Sequence, residues 1–156
     1  MGFPELRQAT TIIETAQVAS LFSVPVLLTP GVFGKVLVPE AIRAYKEPGN
    51  AWTTTGSGRL QVKWQGTSPQ AFATFDQGTT DAYFVAAETT WLAVNGTGST
   101  NAANNGPCGL VLPLTNALVN KGLVLSLASA DITVGSGRIF CDVWYREWLP
   151  VGLIPF

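Results

Sequence analysis

Histidine is missing altogether from the 156 residues, which removes the side chain best suited to proton transfer near neutral pH and the commonest nitrogen ligand for metals. Ser-His-Asp, Cys-His and His-metal sites go with it. Ionised side chains are scarce as well, at 12% of the chain against the roughly 25% of an ordinary soluble domain. Nine basic and ten acidic residues leave a formal net charge of -1, so no long-range field steers the molecule towards phosphate or anionic lipid. Neither nucleic acid nor a membrane is expected as a partner. Cysteine is limited to Cys108 and Cys141, too few for a disulfide framework and too far apart for a zinc cluster. The longest apolar run, Leu21 to Leu28, contains Ser23 and Pro25 and falls far short of the roughly 20 residues of a membrane-spanning helix. No cationic stretch followed by an apolar run opens the chain as a secretion signal would, so a reducing cytoplasm is the expected site of synthesis.

What the chain does have is apolar surface to cover. Hydrophobic residues make up 47% of it, and with so few charges part of the exterior must be apolar or neutral-polar, the composition of places where proteins dock. A net charge near zero removes the self-repulsion that keeps monomers apart. Self-association is the expectation, around a core of single-domain size.

The local patterns are those of short strands. Arg59 to Gln65 alternates without exception, with Leu60, Val62 and Trp64 on one face and Arg59, Gln61, Lys63 and Gln65 on the other. Ala9 to Glu14, Val24 to Thr29 and Lys35 to Lys46 read as strands, the last carrying Pro39 and therefore an edge or a bulge. Thr15 is placed to cap a short helix with Val18, Leu21 and Phe22 on one side. Ala71 to Phe75, Ala82 to Ala87, Thr89 to Val94, Leu110 to Leu114 and Gly122 to Ala128 add further β-like runs. Near the end, Ile139, Cys141, Val143 and Tyr145 form an apolar face, while Phe140, Trp144 and Trp148 mix with Arg138, Asp142 and Arg146 opposite, a composition typical of contact surfaces. The turn Gly135-Ser136-Gly137 before this strand echoes Gly56-Ser57-Gly58 before Arg59, which admits an internal duplication or coincidence.

Two segments resist assignment to a core. Glu47 to Gly58 and Asn95 to Gly109 collect Gly, Asn, Ser, Thr and Pro and read as loops, with Trp52 stranded in the first. Many short strands between such turns indicate an all-β, antiparallel β-sandwich, jelly-roll-like, with one short helix near the N-terminus. Residues 1–8 read as an N-terminal arm, 9–148 as the single sandwich domain and 149–156 as an apolar C-terminal tail that docks on its own body or a neighbour's.

Candidates for chemistry are few. Asp76 and Asp81 flank a turn and could pair as an acid-base or calcium site, but turn-forming aspartates explain them more simply. Glu40, Glu47, Glu88 and Glu147 are scattered. Gly96-Thr97-Gly98 lacks the continuation of a phosphate-binding loop, and Asn95-Gly96-Thr97, formally a glycosylation sequon, reads as a turn. No catalytic, cofactor or metal residues are assigned, and an enzyme is not expected. Of the five tryptophans, Trp64 belongs to a core face. Trp52, Trp144 and Trp148 remain open between subunit contact and stacking against a sugar.

The stretch Ala9 to Lys46, with Gln17-Val18-Ala19-Ser20-Leu21, Pro25-Val26-Leu27-Leu28-Thr29-Pro30 and Gly34-Lys35-Val36-Leu37-Val38-Pro39, resembles small head proteins of tailed bacteriophages. The likeness continues more loosely through Arg59 to Trp64 and through Val119-Asn120-Lys121-Gly122-Leu123. It implies a capsid cement or decoration protein on the virion surface, a homo-oligomer and commonly a trimer, bound to the major capsid protein and without cofactors. The expected contacts are Phe3 and Leu6 in the arm, Phe140, Trp144 and Trp148 on the last strand, and Leu149, Val151, Leu153, Ile154 and Phe156 in the tail. A head fibre, a tail component or a carbohydrate-binding receptor protein is the alternative role.

Overall fold

Strict alternation makes Leu60–Trp64 a strand (β4) whose Leu60, Val62 and Trp64 are all completely buried. The computed structural model describes residues 4–53, 59–66, 71–74, 77–86, 88–94, 118–133 and 135–150, and within them seven further strands form, some alternating less strictly and one, β7, buried at every position. They are Arg7–Ile13 (β1), Val26–Thr29 (β2), Val36–Lys46 (β3), Ala71–Thr74 (β5), Thr89–Val94 (β6), Leu123–Leu127 (β7) and Ile139–Trp148 (β8). The expected strand at Leu110 to Leu114 and the loop at Asn95 to Gly109 lie outside the described residues.

Two four-stranded antiparallel sheets result, ordered β1-β8-β3-β6 and β2-β7-β4-β5. Consecutive strands β1 and β2, β3 and β4, and β6 and β7 lie in different sheets, so the chain passes back and forth across the core. This order is that of a jelly roll, in which paired Greek keys wrap one β-sandwich. The buried face of β8 is the expected one, Ile139, Cys141, Val143 and Tyr145, and it meets Leu60, Val62, Trp64, Leu123, Leu125 and Leu127 from the opposite sheet in one apolar core. Burial pushes the Cys141 thiol up to about 12, helped by the charge of Asp142, which leaves it unreactive.

The bulge implied by Pro39 is present, as a shift of register between Pro39 and Ala41 against β8. The β6 ladder on the other side of β3 begins only at Ala41, so among the described residues the missing proline N–H falls where β3 has β8 alone as a neighbour.

Three local expectations change. Ala82 to Ala87 is not a strand: Gln77–Val85 forms a helix (α2). Tyr83-Phe84-Val85 favours strand by composition, but Thr80, Tyr83 and Phe84 are buried together at helical spacing. The helix plugs the side of the sandwich between β3 and β4, where the Leu60 N–H donates to Thr80 Oγ1 at 3.0 Å and the Tyr83 hydroxyl to the Ala44 carbonyl at 3.3 Å. The first helix, Thr15–Ala19 (α1), takes its N-cap at Glu14 instead of Thr15, and the Glu14 N–H donates to Gln17 Oε1. Val18 and Leu21 enter the core but Phe22 stays exposed. The N-terminal arm is shorter than its expected eight residues, because Arg7 and Gln8 already pair with Tyr145 and Trp144 in β1.

Trp52 is far from stranded. Only 2% exposed, it closes one end of the core; its backbone N–H donates to the Phe84 carbonyl at 3.1 Å, while its indole Nε1–H is buried without a partner among the described residues. Gly135 lies against the indole so closely that a Cβ there would overlap the ring. Gly135→Ala is expected to cost roughly 1–3 kcal/mol, the usual penalty for overpacking a core; a thermal melt that matches the parent would show that the ring can shift.

Candidate functional site

Alternation along β1, β8 and β3 turns every second side chain of the β1-β8-β3-β6 sheet away from the core, and the register sorts these into cross-strand rows. Gln8, Trp144 and Ala41 form one row, Thr10, Asp142 and Arg43 the next, and Ile12, Phe140, Tyr45 and Thr90 the third. This outer face is the candidate interaction surface.

Its middle row is an electrostatic knot. Asp142 Oδ2 accepts from Arg43 Nε at 2.9 Å and Nη2 at 2.5 Å, while Oδ1 accepts from Thr10 Oγ1 at 2.6 Å and, at the limit of a hydrogen bond, from Gln8 Nε2 at 3.4 Å. Burial pushes the Asp142 carboxyl up, but the bonds from Thr10 and Arg43 and the guanidinium charge together outweigh it, leaving the group below the usual aspartate value.

The third row opens into a cleft of about 420 Å³ lined by Arg43, Tyr45, Glu47, Thr90, Phe140 and Asp142. Tyr45 and Phe140 sit with ring centroids 6.2 Å apart and planes tilted by 39°. Arg138 places its guanidinium 5.2 Å from the Phe140 ring centre and binds Glu47 through two hydrogen bonds of 2.8 Å. That pairing holds the Glu47 carboxyl below its ordinary value. The Tyr45 hydroxyl donates to Glu88 Oε1 at 2.6 Å, a bond that raises its pKa.

The other end of the same face carries the chain's arm. Arg146 binds Glu40 at 2.5 Å and the Pro4 carbonyl, and at the same end, but with the parity of the inward side of the sheet, Glu147, its side chain 7% exposed, holds Lys35 at 2.6 Å and Arg7 at 3.0 Å. β1 starts and β8 finishes here. β3 also starts here, since Val36 lies opposite Trp148, and the loop just before it leaves Phe33 93% exposed. Leu6 at 44% and Leu149 at 52% complete an apolar fringe.

The expected contact residues therefore divide. Leu6 and Leu149 are exposed at one end, and Trp144 is half-buried in the row next to the Asp142 knot. Trp148 packs partly against the core. Phe140 stands apart from Trp148, because eight residue steps along the strand carry them about 27 Å apart. Phe3, Val151, Leu153, Ile154 and Phe156 lie outside the described residues. Trp52, buried, offers no stacking surface. Asp81 lies on α2 with Oδ1 buried and unbonded among the described residues, and Asp76 is outside them. Among the described residues no cluster of three or more potential ligands could hold a metal, and no helix is long and apolar enough to cross a membrane.

The sequence reading missed Arg43, Tyr45, Glu47 and Thr90. The signal was partly there: Arg43 and Tyr45 alternate with buried Ile42 and Ala44. Their meeting with Phe140 and Asp142 depends on a register that no local pattern encodes. Comparison with family models, curated proteins and solved structures gives no match for this chain.

Proposed function

We propose that this protein is a structural subunit that works by contact, a bacteriophage capsid cement or decoration protein that self-associates and binds the assembled shell. The observation that carries the reading is the apolar fringe of Phe33, Leu6 and Leu149 at the end of the sandwich where β1 begins and β8 finishes. Three of the eight exposed large hydrophobic side chains among the described residues lie at this end, and on a chain with little charge that is what a surface covered by other subunits requires. The resemblance of Ala9 to Lys46 to phage head proteins supplies the shell as partner and a trimer as the order of assembly. A jelly roll suits the role, since its rigid body presents loops and termini at its ends.

Oligomer mass tests this. The full chain should sediment as an oligomer and travel with expanded shells of the virus that encodes it. Leu6→Ser combined with Leu149→Ser, or truncation after Trp148, should shift the mass towards monomer, because burying such side chains contributes roughly 25 cal/mol per Å². A parent protein that remains monomeric at high concentration and leaves the shells unbound overturns the proposal.

A further inference from the structure

We propose that the cleft between Tyr45, Phe140 and Thr90 on the outer face of the β1-β8-β3-β6 sheet binds a neutral saccharide. This goes beyond the assembly reading and does not depend on it, since the cleft lies at the opposite end of β8 from the apolar fringe.

The lining decides the chemistry. Its charges are already matched: Asp142 by Arg43, and Glu47 by Arg138. An ionic ligand would have to compete with bidentate pairs at 2.5–2.9 Å, one of them on a buried carboxylate. A wholly apolar ligand would cover the polar rim and leave its groups unpaired.

A pyranose meets both demands. Its C–H face can lie on the Tyr45 and Phe140 rings, which are set at an angle to each other as two walls. Its hydroxyls can reach the rim, where Arg43 Nη1 takes no part in the bonds to Asp142, Glu88 bonds Tyr45 through one oxygen only, and the Thr90 side chain is exposed. Arg43 is held in place by its carboxylate while its side chain remains 54% exposed, so a donor fork is presented to solvent at little further cost in side-chain entropy. The volume of about 420 Å³ lies within the roughly 300–1,000 Å³ of small-ligand sites and has room for a mono- or disaccharide.

The test is a titration of the full-length protein with the methyl glycosides of glucose, galactose, mannose and N-acetylglucosamine, followed by amide chemical shifts. Saturable shifts confined to the backbone around Arg43, Tyr45, Thr90, Phe140 and Asp142 are expected for at least one of them. Thr90→Trp, which fills the cleft from an exposed position, and Tyr45→Leu, which removes one wall, should each weaken that sugar about tenfold or more, a change of about 1.4 kcal/mol. The absence of saturable shifts with all four sugars overturns the proposal. So do shifts centred elsewhere, equal affinity in a folded Thr90→Trp variant, or saturation by acetate or methylguanidinium in place of the sugars.

Discussion

Replacing Trp64 by alanine is expected to remove about 3–5 kcal/mol of stability, the range for deleting a fully buried aromatic. Against the roughly 5–15 kcal/mol that holds a typical domain together, this is the most damaging single change proposed for the core. Trp64 has no exposed surface, and its indole N–H donates to the Leu37 carbonyl at 2.8 Å, tying β4 in one sheet to β3 in the other. Trp64→Phe separates the two contributions, because it keeps most of the apolar volume and loses the bond. It should cost about 1–3 kcal/mol, the price of leaving a buried polar group without its partner. Urea unfolding at constant m-value measures both. An alanine variant within about 1 kcal/mol of the parent would mean that the space behind Trp64 collapses easily and that the sheets do not depend on it.

Asp142→Asn is expected to cost about 1.5–3 kcal/mol at neutral pH, the scale of hydrogen bonds to a charged group. Removing one member of a fully buried ion pair costs more, about 3–5 kcal/mol, because the other charge is stranded. Here the Arg43 side chain is 54% exposed and falls back on water, so the lower range applies. The cost must also depend on pH. The native Asp142 carboxyl titrates below the usual aspartate value, so its contribution is complete above about pH 4 to 5 and disappears as pH falls through the native pKa. Parent and Asp142→Asn curves should therefore converge in acid, and a gap that stays constant from neutral to strongly acid solution would show that the knot acts by shape alone.

These two residues also mark where the sequence was legible. Period-two alternation put Trp64 on the inner face and Asp142 on the outer one, and both placements hold, although Asp142 is buried there beneath its partners. The apolar face of β8 and the bulge at Pro39 were readable for the same reason, since each follows from a rule acting within one strand. The fold class was readable from the number and spacing of strands. The partners of Trp64 and Asp142 were not, because Leu37 lies 27 residues away and Thr10 132 residues away in the chain. α2 was misread because Tyr83 and Phe84 have strand-forming side chains, whereas their burial with Thr80 is set by packing across the open side of the sandwich. Phe140 and Trp148 share a parity along β8, but a single long strand carries them to opposite ends of it, where Trp148 packs partly against the core. Lys46 shows the limit most clearly. It continues the inward face of β3 after Ile42 and Ala44 and is completely buried, with its ammonium pKa lowered by loss of water, a position at which alternation alone would ask for an apolar residue.

The join between β1 and β2 bears on the self-association proposed above. The Thr11 hydroxyl of β1 donates to the Leu28 carbonyl of β2 at 3.0 Å, stitching the rim of one sheet to the rim of the other. A backbone acceptor that could have recruited a foreign strand is thereby occupied from within. Growth by open-ended ribbon formation is discouraged along that seam, so in the proposed oligomer neighbours would meet through side chains at the ends and flat faces of the sandwich. Contacts of that kind can close into rings of fixed number instead of running on as fibres.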